Sequence, residues 1–404
     1  MRVRAVTIGW TVEWQGGRIA NGAEIARLPQ RVRAYFAEAG IELQTLRLAT
    51  QPFPNVVAPE EVTVFARALC AVAETAGFDY VSMGPAGPEQ HAWMSHIVPA
   101  LVENETLFAA ISTTTDDGRV ALPAVEAAGR VISELARRTA GGFGNLRFAA
   151  LALCPPGIPF FPAAYHDGGE VALSVAWEVA DDALAAVTGA RSLGEAERRL
   201  EERLSQVAER LWTAVEGLAV RLGARALGID CSLAPYPDET RSVAAAFERL
   251  GLQPFGAPGT LAVAASITSV LQRLPVRRTG FCGLMLPVLE DARLGALAQA
   301  GQLQLSTLLV ASAVCGVGLD VIPLPGETTA AQLSGLVLDV ATLATRLKKP
   351  LLTRLMPIPG LRPGETVRFA FSFFAPAAVL PLAGAVPQQW FTSDPGQNTG
   401  EDEL

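Results

Sequence analysis

Histidine is scarce in this chain of 404 residues, with three in all, and cysteine is limited to five. Cys70, Cys154, Cys231, Cys282 and Cys315 are odd in number, widely spaced and without a C-x-x-C pair. That excludes a disulfide framework and a zinc ribbon, and fits reduced thiols in a cytoplasmic protein. Basic charge is in deficit, 32 Lys+Arg against 40 Asp+Glu for a net −8, which excludes the basic footprint that nucleic-acid binding requires. Much of the excess, Asp394, Glu401, Asp402 and Glu403, sits near the C-terminus, so the folded body is only mildly acidic. Long clean apolar runs are also lacking. Leu294–Leu319 carries Gln299, Gln302, Gln304, Ser306 and Thr307, and Phe369–Phe391 is broken by Pro376, Pro381 and Pro387. A spanning helix needs about 20 mainly apolar residues, so no membrane segment is expected. The opening MRVRAVTIGWTVEW has too short an apolar stretch for a secretory leader.

What is present is a chain that is 50% hydrophobic, enough to bury a large core. Short β-rich runs alternate with longer helical-period segments, as in βα units and a largely parallel sheet. The runs predict strands at Val3–Ile8, Asp79–Met83, Arg147–Leu153, Glu170–Trp177, Arg225–Asp230, Phe281–Leu286, Leu351–Leu355 and Val367–Phe373. Several are apolar at nearly every position, as strands covered on both faces are. The clearest helix is expected over Leu193–Leu222. Ser192 and Glu195 form a capping box, Leu200, Leu204, Val207, Leu211, Val215 and Leu218 form one stripe, and Gly223 ends it. One domain over residues 1–392 is expected, followed by a polar, acidic, disordered tail over residues 393–404. The GGFG loop from Gly141 to Gly144 is the alternative boundary between two halves.

His91 and His96 are five residues apart, which does not place them on one helix face as a metal pair. His166 lies in the proline-rich stretch CPPGIPFFPAAYHDGG between two strand candidates, where an imidazole can act as acid or base or fill a buried loop. Asp230 ends a predicted strand before the loop CSLAPYP. By analogy with eight-stranded barrels, an acid there faces the mouth; alternatively it holds the Ser232 turn. In ASAVCGVGLDVIPLP, Cys315 and Asp320 flank Gly316 and Gly318, glycines that allow close approach to a ligand, although no cation adjoins Cys315 to activate its thiol. Glu290 and Asp291 follow a predicted strand and are read as ligand-binding or helix-start acids. Gly259 and Thr260, in GAPGT, sit where a loop enters a helix and are candidate anion contacts.

These segments resemble the uncharacterised bacterial and archaeal family DUF711, or UPF0210. The resemblance rests on VRAVTIG at Val3–Gly9, IPFFPAAYH at Ile158–His166, GID-x-SLAP-x-P from Gly228 to Pro237, GAPGT at Gly256–Thr260, LPVLED at Leu286–Asp291 and VCGVGLDVIPLPGET from Val314 to Thr328. The order agrees over roughly residues 1–385. The family is similar in fold to the glycyl-radical enzymes, which implies one large α/β barrel of about ten strands. Radical chemistry is not implied, because PGETVRFAFSFFAPAAVL has no glycine in the radical context. Pro258-Gly259-Thr260 stands where members often have His-Gly-Thr, and Asp167 replaces the glycine after the motif histidine.

The expectation is therefore an enzyme of unassigned reaction with one polar site at the barrel mouth, made of His166, Asp230, Cys315 and Asp320, with Ser232, Gly259, Thr260, Glu290 and Asp291 binding a small-molecule ligand. A non-catalytic metabolite-binding barrel and a carboxylate-metal hydrolase or lyase are the alternatives. The residues name no cofactor or metal, and a homodimer is compatible with the apolar excess.

Overall fold

A computed structural model describes residues 1–314 and 316–391. Cys315 and the predicted tail lie outside the described residues. Nine strands form one mixed sheet: β1 (Arg2–Gly9), β2 (Glu42–Ala49), β3 (Tyr80–Ala86), β4 (Leu107–Ser112), β5 (Phe148–Ala152), β6 (Ala172–Glu178), β7 (Arg225–Asp230), β8 (Gly318–Pro325) and β9 (Leu351–Ile358). Their spatial order is β8-β9-β5-β4-β3-β2-β1-β6-β7. Strands β1 to β5 run parallel. β6 and β7 run the other way, antiparallel to β1, as do β8 and β9, antiparallel to β5.

Six of the eight predicted strands are found within three residues of their expected bounds. Two are corrected. Phe281–Leu286 is no regular strand, but it touches both edges of the sheet: Leu284 bridges Leu233 beyond β7 and Gly316 before β8, both in parallel sense. Over Val367–Phe373 only Thr366–Val367 pairs, with Ala377–Ala378. Glu42–Ala49, Leu107–Ser112 and Gly318–Pro325 were not expected as strands. The last contains Gly318, Pro323 and Pro325, residues that normally argue against a ladder. Gly318 has φ +115° and lies so close to β9 that a Cβ would meet Leu352 O at 1.9 Å, so this glycine serves strand packing rather than ligand approach.

The long helix runs from Leu193 to Leu222 as expected. Ser192 Oγ accepts the Glu195 N–H, and Gly223 closes the helix at φ 66°. Leu200, Leu204, Leu211, Val215 and Leu218 are buried, with Ala208 taking the seam position expected of the half-buried Val207. Among the described residues no helix is long and apolar enough to cross a membrane.

One face of the sheet packs against helices. Val6 and Ile8 of β1 and Leu46 and Leu48 of β2 share a core with Val125 of the helix Leu122–Arg138 and Val340 of the helix Ala330–Leu347. The other face is lined by small residues: Ala5 of β1, Ala110 of β4, Ala149 of β5 and Ala176 of β6 pack with Ile158, Phe160 and Ala163. The alanines leave room for the segment 157–164, which is buried throughout. A buried loop must pair its backbone groups. Here the hydroxyls of Thr7, Thr279 and Ser82 donate to the carbonyls of Pro159 (2.8 Å), Gly157 (3.0 Å) and Ala164 (2.8 Å).

Candidate functional site

The inserted loop brings Phe160 and Phe161 to the wall of a cavity of about 80 Å³. One water needs only ~10–15 Å³, so the space is larger than a hydration site. Arg4 of β1, Thr45 and Arg47 of β2, Tyr80 of β3, Phe108 of β4, Asp320 of β8 and Leu352 and Arg354 of β9 all line it. Glu290, Met285 and Val317 come from the connections around β8, and Phe371 and Phe373 from the stretch after β9.

Four of these charges form a chain. Arg4 Nη2 donates to Glu290 Oε2 at 2.6 Å, Arg354 Nη2 to Glu290 Oε1 at 3.1 Å, and Arg354 Nε to Asp320 Oδ1 at 2.6 Å. Nη1 of each arginine donates to a backbone carbonyl, Arg4 to Pro235 O at 2.7 Å and Arg354 to Leu146 O at 3.3 Å. Arg354 is buried; burial pulls its pKa down, the neighbouring Asp320 and Glu290 push it up, and the carboxylates prevail. Such a chain is what permits charges in a low-dielectric interior.

Arg47 stands apart. Its Nε donates to Thr45 Oγ1 at 3.0 Å, and its guanidinium lies 5.3 Å from the centroid of the Phe161 ring. Among the described residues no carboxylate lies within ion-pair distance of it. Burial, then the charge of Arg4, lowers its pKa to about 10, so it remains a cation at neutral pH. With Nε occupied, the Nη1/Nη2 edge is left, and that fork matches a carboxylate or phosphate bidentately.

Of the residues expected from sequence, Asp320 and Glu290 meet here through Arg354. Asp230 does not line this cavity. Its Oδ1 accepts Ser232 N–H (3.0 Å), Ser232 Oγ–H (2.6 Å) and Cys282 N–H (3.0 Å), and its Oδ2 accepts Phe281 N–H (2.8 Å). Burial raises this carboxyl, against the pull of those donors. Ser232 Oγ in turn accepts Gly283 N–H at 3.1 Å, so Asp230 and Ser232 stitch the end of β7 to the 281–284 segment. Asp291 joins two helix starts. It takes Arg293 and Leu294 N–H at the head of the helix Ala292–Gln299, and Val243 and Ala244 N–H at the head of the helix Val243–Arg249. Gly259 precedes the helix Thr260–Arg273, and Thr260 Oγ1 is occupied by Ala257 O (2.7 Å) and Gly256 N–H (3.1 Å).

His166 is buried at the far end of β1. Its N–H donates to Thr50 O at 2.9 Å, and its ring packs on Gly9, where a Cβ would meet Nδ1 at 2.6 Å. Gly9 and Arg4 are separated by about 16 Å of strand at ~3.3 Å per residue, so His166 and Arg4 lie at opposite ends of β1, whereas Arg47 is in register with Thr7, two residues from Gly9. Nδ1 is 3.3 Å from Asp167 Oδ1, and neither ring nitrogen makes a well-formed hydrogen bond among the described residues. Burial lowers its pKa, against the charge of Asp167. The folded state therefore favours the neutral ring. The stability this contributes is complete above the unfolded value near ~6.5 and is lost as pH falls toward the folded value. In His166→Gln, urea unfolding between pH 7 and pH 5 is expected to show a shallower loss of stability than in the parent; an unchanged slope refutes the assignment.

Among the described residues no three His, Cys, Asp or Glu side chains gather in a group that could hold a metal ion. The carboxylates divide between the cavity, the Asp230 turn and the Asp291 double cap, so the carboxylate-metal reading finds no ligand set in them.

The arginines were not singled out from the sequence. Each left a signal, a lone charge inside an apolar strand: Arg4 in VRAVTIG, Arg47 in LRLA and Arg354 in LLTRLM. Buried charge is costly unless paired, so such positions mark an interior ionic site.

A mixed α/β protein with a nine-stranded sheet and an arginine-rich internal cavity is the class that fold and site define. The chain belongs to the family described as Uncharacterised ACR (DUF711), whose model matches residues 1–373. It is 30% identical over 384 residues to a UPF0210 protein of Desulfovibrio desulfuricans, covering 87% of this chain and 82% of that one. It is 31% identical over 364 residues to a UPF0210 protein of Pyrobaculum islandicum, with 84% and 79% covered. A UPF0210 protein of Bifidobacterium adolescentis is 28% identical over 384 residues.

Proposed function

We propose that the protein binds a small organic anion in the cavity, with Arg47 as the anchoring cation. The observation that carries this reading is a half-buried guanidinium on the cavity wall, its Nη1/Nη2 edge without a carboxylate partner among the described residues, beside a charge chain complete in itself. A half-buried cation facing a cavity attracts an anion more strongly than one in bulk water does, because the field there is less screened. Metabolite binding is favoured over acid-base catalysis because Asp320 and Glu290 are both engaged by arginine and His166 does not line the cavity. The enzymatic alternative rests on Cys315, which lies outside the described residues, and is tested separately.

Leu284, bridging both sheet edges in parallel sense, supports closure of the sheet into a ring of two oppositely directed five-strand halves. The cavity is then the interior of a barrel formed by one domain. We place the protein in the cytoplasm, with a small molecule as partner and a homodimer as a compatible assembly.

Native mass spectrometry of the full chain, with and without Arg47→Met, tests the anion reading. An anionic adduct on the parent that is lost from the variant is expected. Equal adducts on both, or no adduct together with no thermal shift by sodium salts of small carboxylates over sodium chloride, overturns it. Turnover of the adduct that Cys315→Ser abolishes while leaving binding intact moves the conclusion to an enzyme.

A further inference from the structure

The composition of the cavity wall restricts the ligand further. Its charged members are Arg4, Arg47 and Arg354 against Glu290 and Asp320, three cations facing two anions at their ordinary charges. The excess is a single positive charge. A monoanion neutralises it, whereas a dianion leaves the site with net negative charge next to two buried carboxylates, and like charges at close range in a poorly screened interior repel strongly.

Beside Arg47 the wall is aromatic. The rings of Tyr80 and Phe108 meet edge to face at 5.4 Å between centroids, and those of Phe108 and Phe161 at 5.1 Å. Arg47 adjoins Tyr80 across the β2/β3 ladder and stacks over Phe161, so a ligand held by its Nη edge projects its remaining atoms along these rings. Aromatic edges and faces prefer a ring partner in an offset or edge-on arrangement. Resting on the anion-binding reading above, we infer that the cavity takes an aromatic monocarboxylate, its carboxylate forked on Arg47 and its ring on the Tyr80–Phe108–Phe161 wall, and discriminates against phosphate and other dianions.

Isothermal titration of the full-length protein with sodium benzoate, sodium acetate, benzamide and inorganic phosphate, repeated on Arg47→Met and Phe161→Ala, tests this. The expected result is saturable benzoate binding, at least tenfold tighter than acetate or benzamide and without measurable phosphate binding. Benzoate affinity falls at least tenfold in Arg47→Met, and in Phe161→Ala falls toward that of acetate. Phosphate binding more tightly than benzoate, or acetate matching benzoate, overturns the ligand class while leaving an Arg47-dependent anion site in place. Benzoate, acetate and phosphate all binding to the parent no better than to Arg47→Met overturns both this inference and the reading on which it rests. Near-ultraviolet circular dichroism matching the parent establishes that either variant has kept its packing.

Discussion

Arg354→Met is expected to lower the unfolding free energy by about 3–5 kcal/mol, the cost of removing one partner from a buried ion pair. Methionine fills much of the stem volume, so the loss comes from charge. Asp320 loses its Nε donor, Glu290 is left with Arg4 alone, and Leu146 O loses its contact. A domain with a total stability of roughly 5–15 kcal/mol feels this as a large shift in the urea midpoint. Arg47→Met is the control. Arg47 is half-buried and has no carboxylate partner among the described residues, so its removal breaks no ion pair and its midpoint is expected within about 1 kcal/mol of the parent. The two arginines face the same cavity, yet Arg354 is paired with two carboxylates and Arg47 with none among the described residues. Urea midpoints at matched slopes decide between these roles, and an Arg354→Met midpoint equal to that of Arg47→Met refutes the distinction.

Asp230→Ala is expected to cost a similar amount, about 3–5 kcal/mol, for a different reason. The substitution removes the acceptor for three backbone N–H groups and one hydroxyl, and a buried donor left without a partner costs ~1–3 kcal/mol. Local relaxation and entry of water keep the total below the sum. Asp230→Asn retains an acceptor oxygen for Ser232 and Cys282 but turns an NH₂ toward the Phe281 N–H, so a loss of about 1–3 kcal/mol is expected. Hydrogen exchange gives the second readout, because the alanine variant should lose protection at Phe281, Cys282 and Gly283 before the rest of the sheet. Uniform protection across these amides in Asp230→Ala would show that the turn does not depend on the carboxylate.

The same residue illustrates where sequence reasoning reached its limit. An acid at the end of an apolar strand is legible, and both of its roles, mouth residue or turn holder, were legible with it. Which one holds depends on whether Phe281 and Cys282, fifty residues further on, turn their N–H groups toward it. No local pattern carries that. Likewise Glu290 and Asp291 are adjacent acids with the same sequence signal, yet Glu290 bridges two arginines and Asp291 caps two helices.

By itself, the sequence determined what depends on neighbours along the chain: the α/β class, six of the nine strands, both ends of the Leu193–Leu222 helix, and the family through ordered motifs. Periodicity, caps and turn residues act over a few positions, which is why they can be read. The tertiary structure alone decided the insertion of the 157–164 loop against a face of alanines, the pairing of the edge segment Phe281–Leu286, and the meeting of Arg4, Arg47 and Arg354. Those arginines come from β1, β2 and β9. Their charges acquire or lack counter-ions only once strands distant in sequence are laid side by side, because ionic interaction and desolvation depend on distance through space and on the exclusion of water.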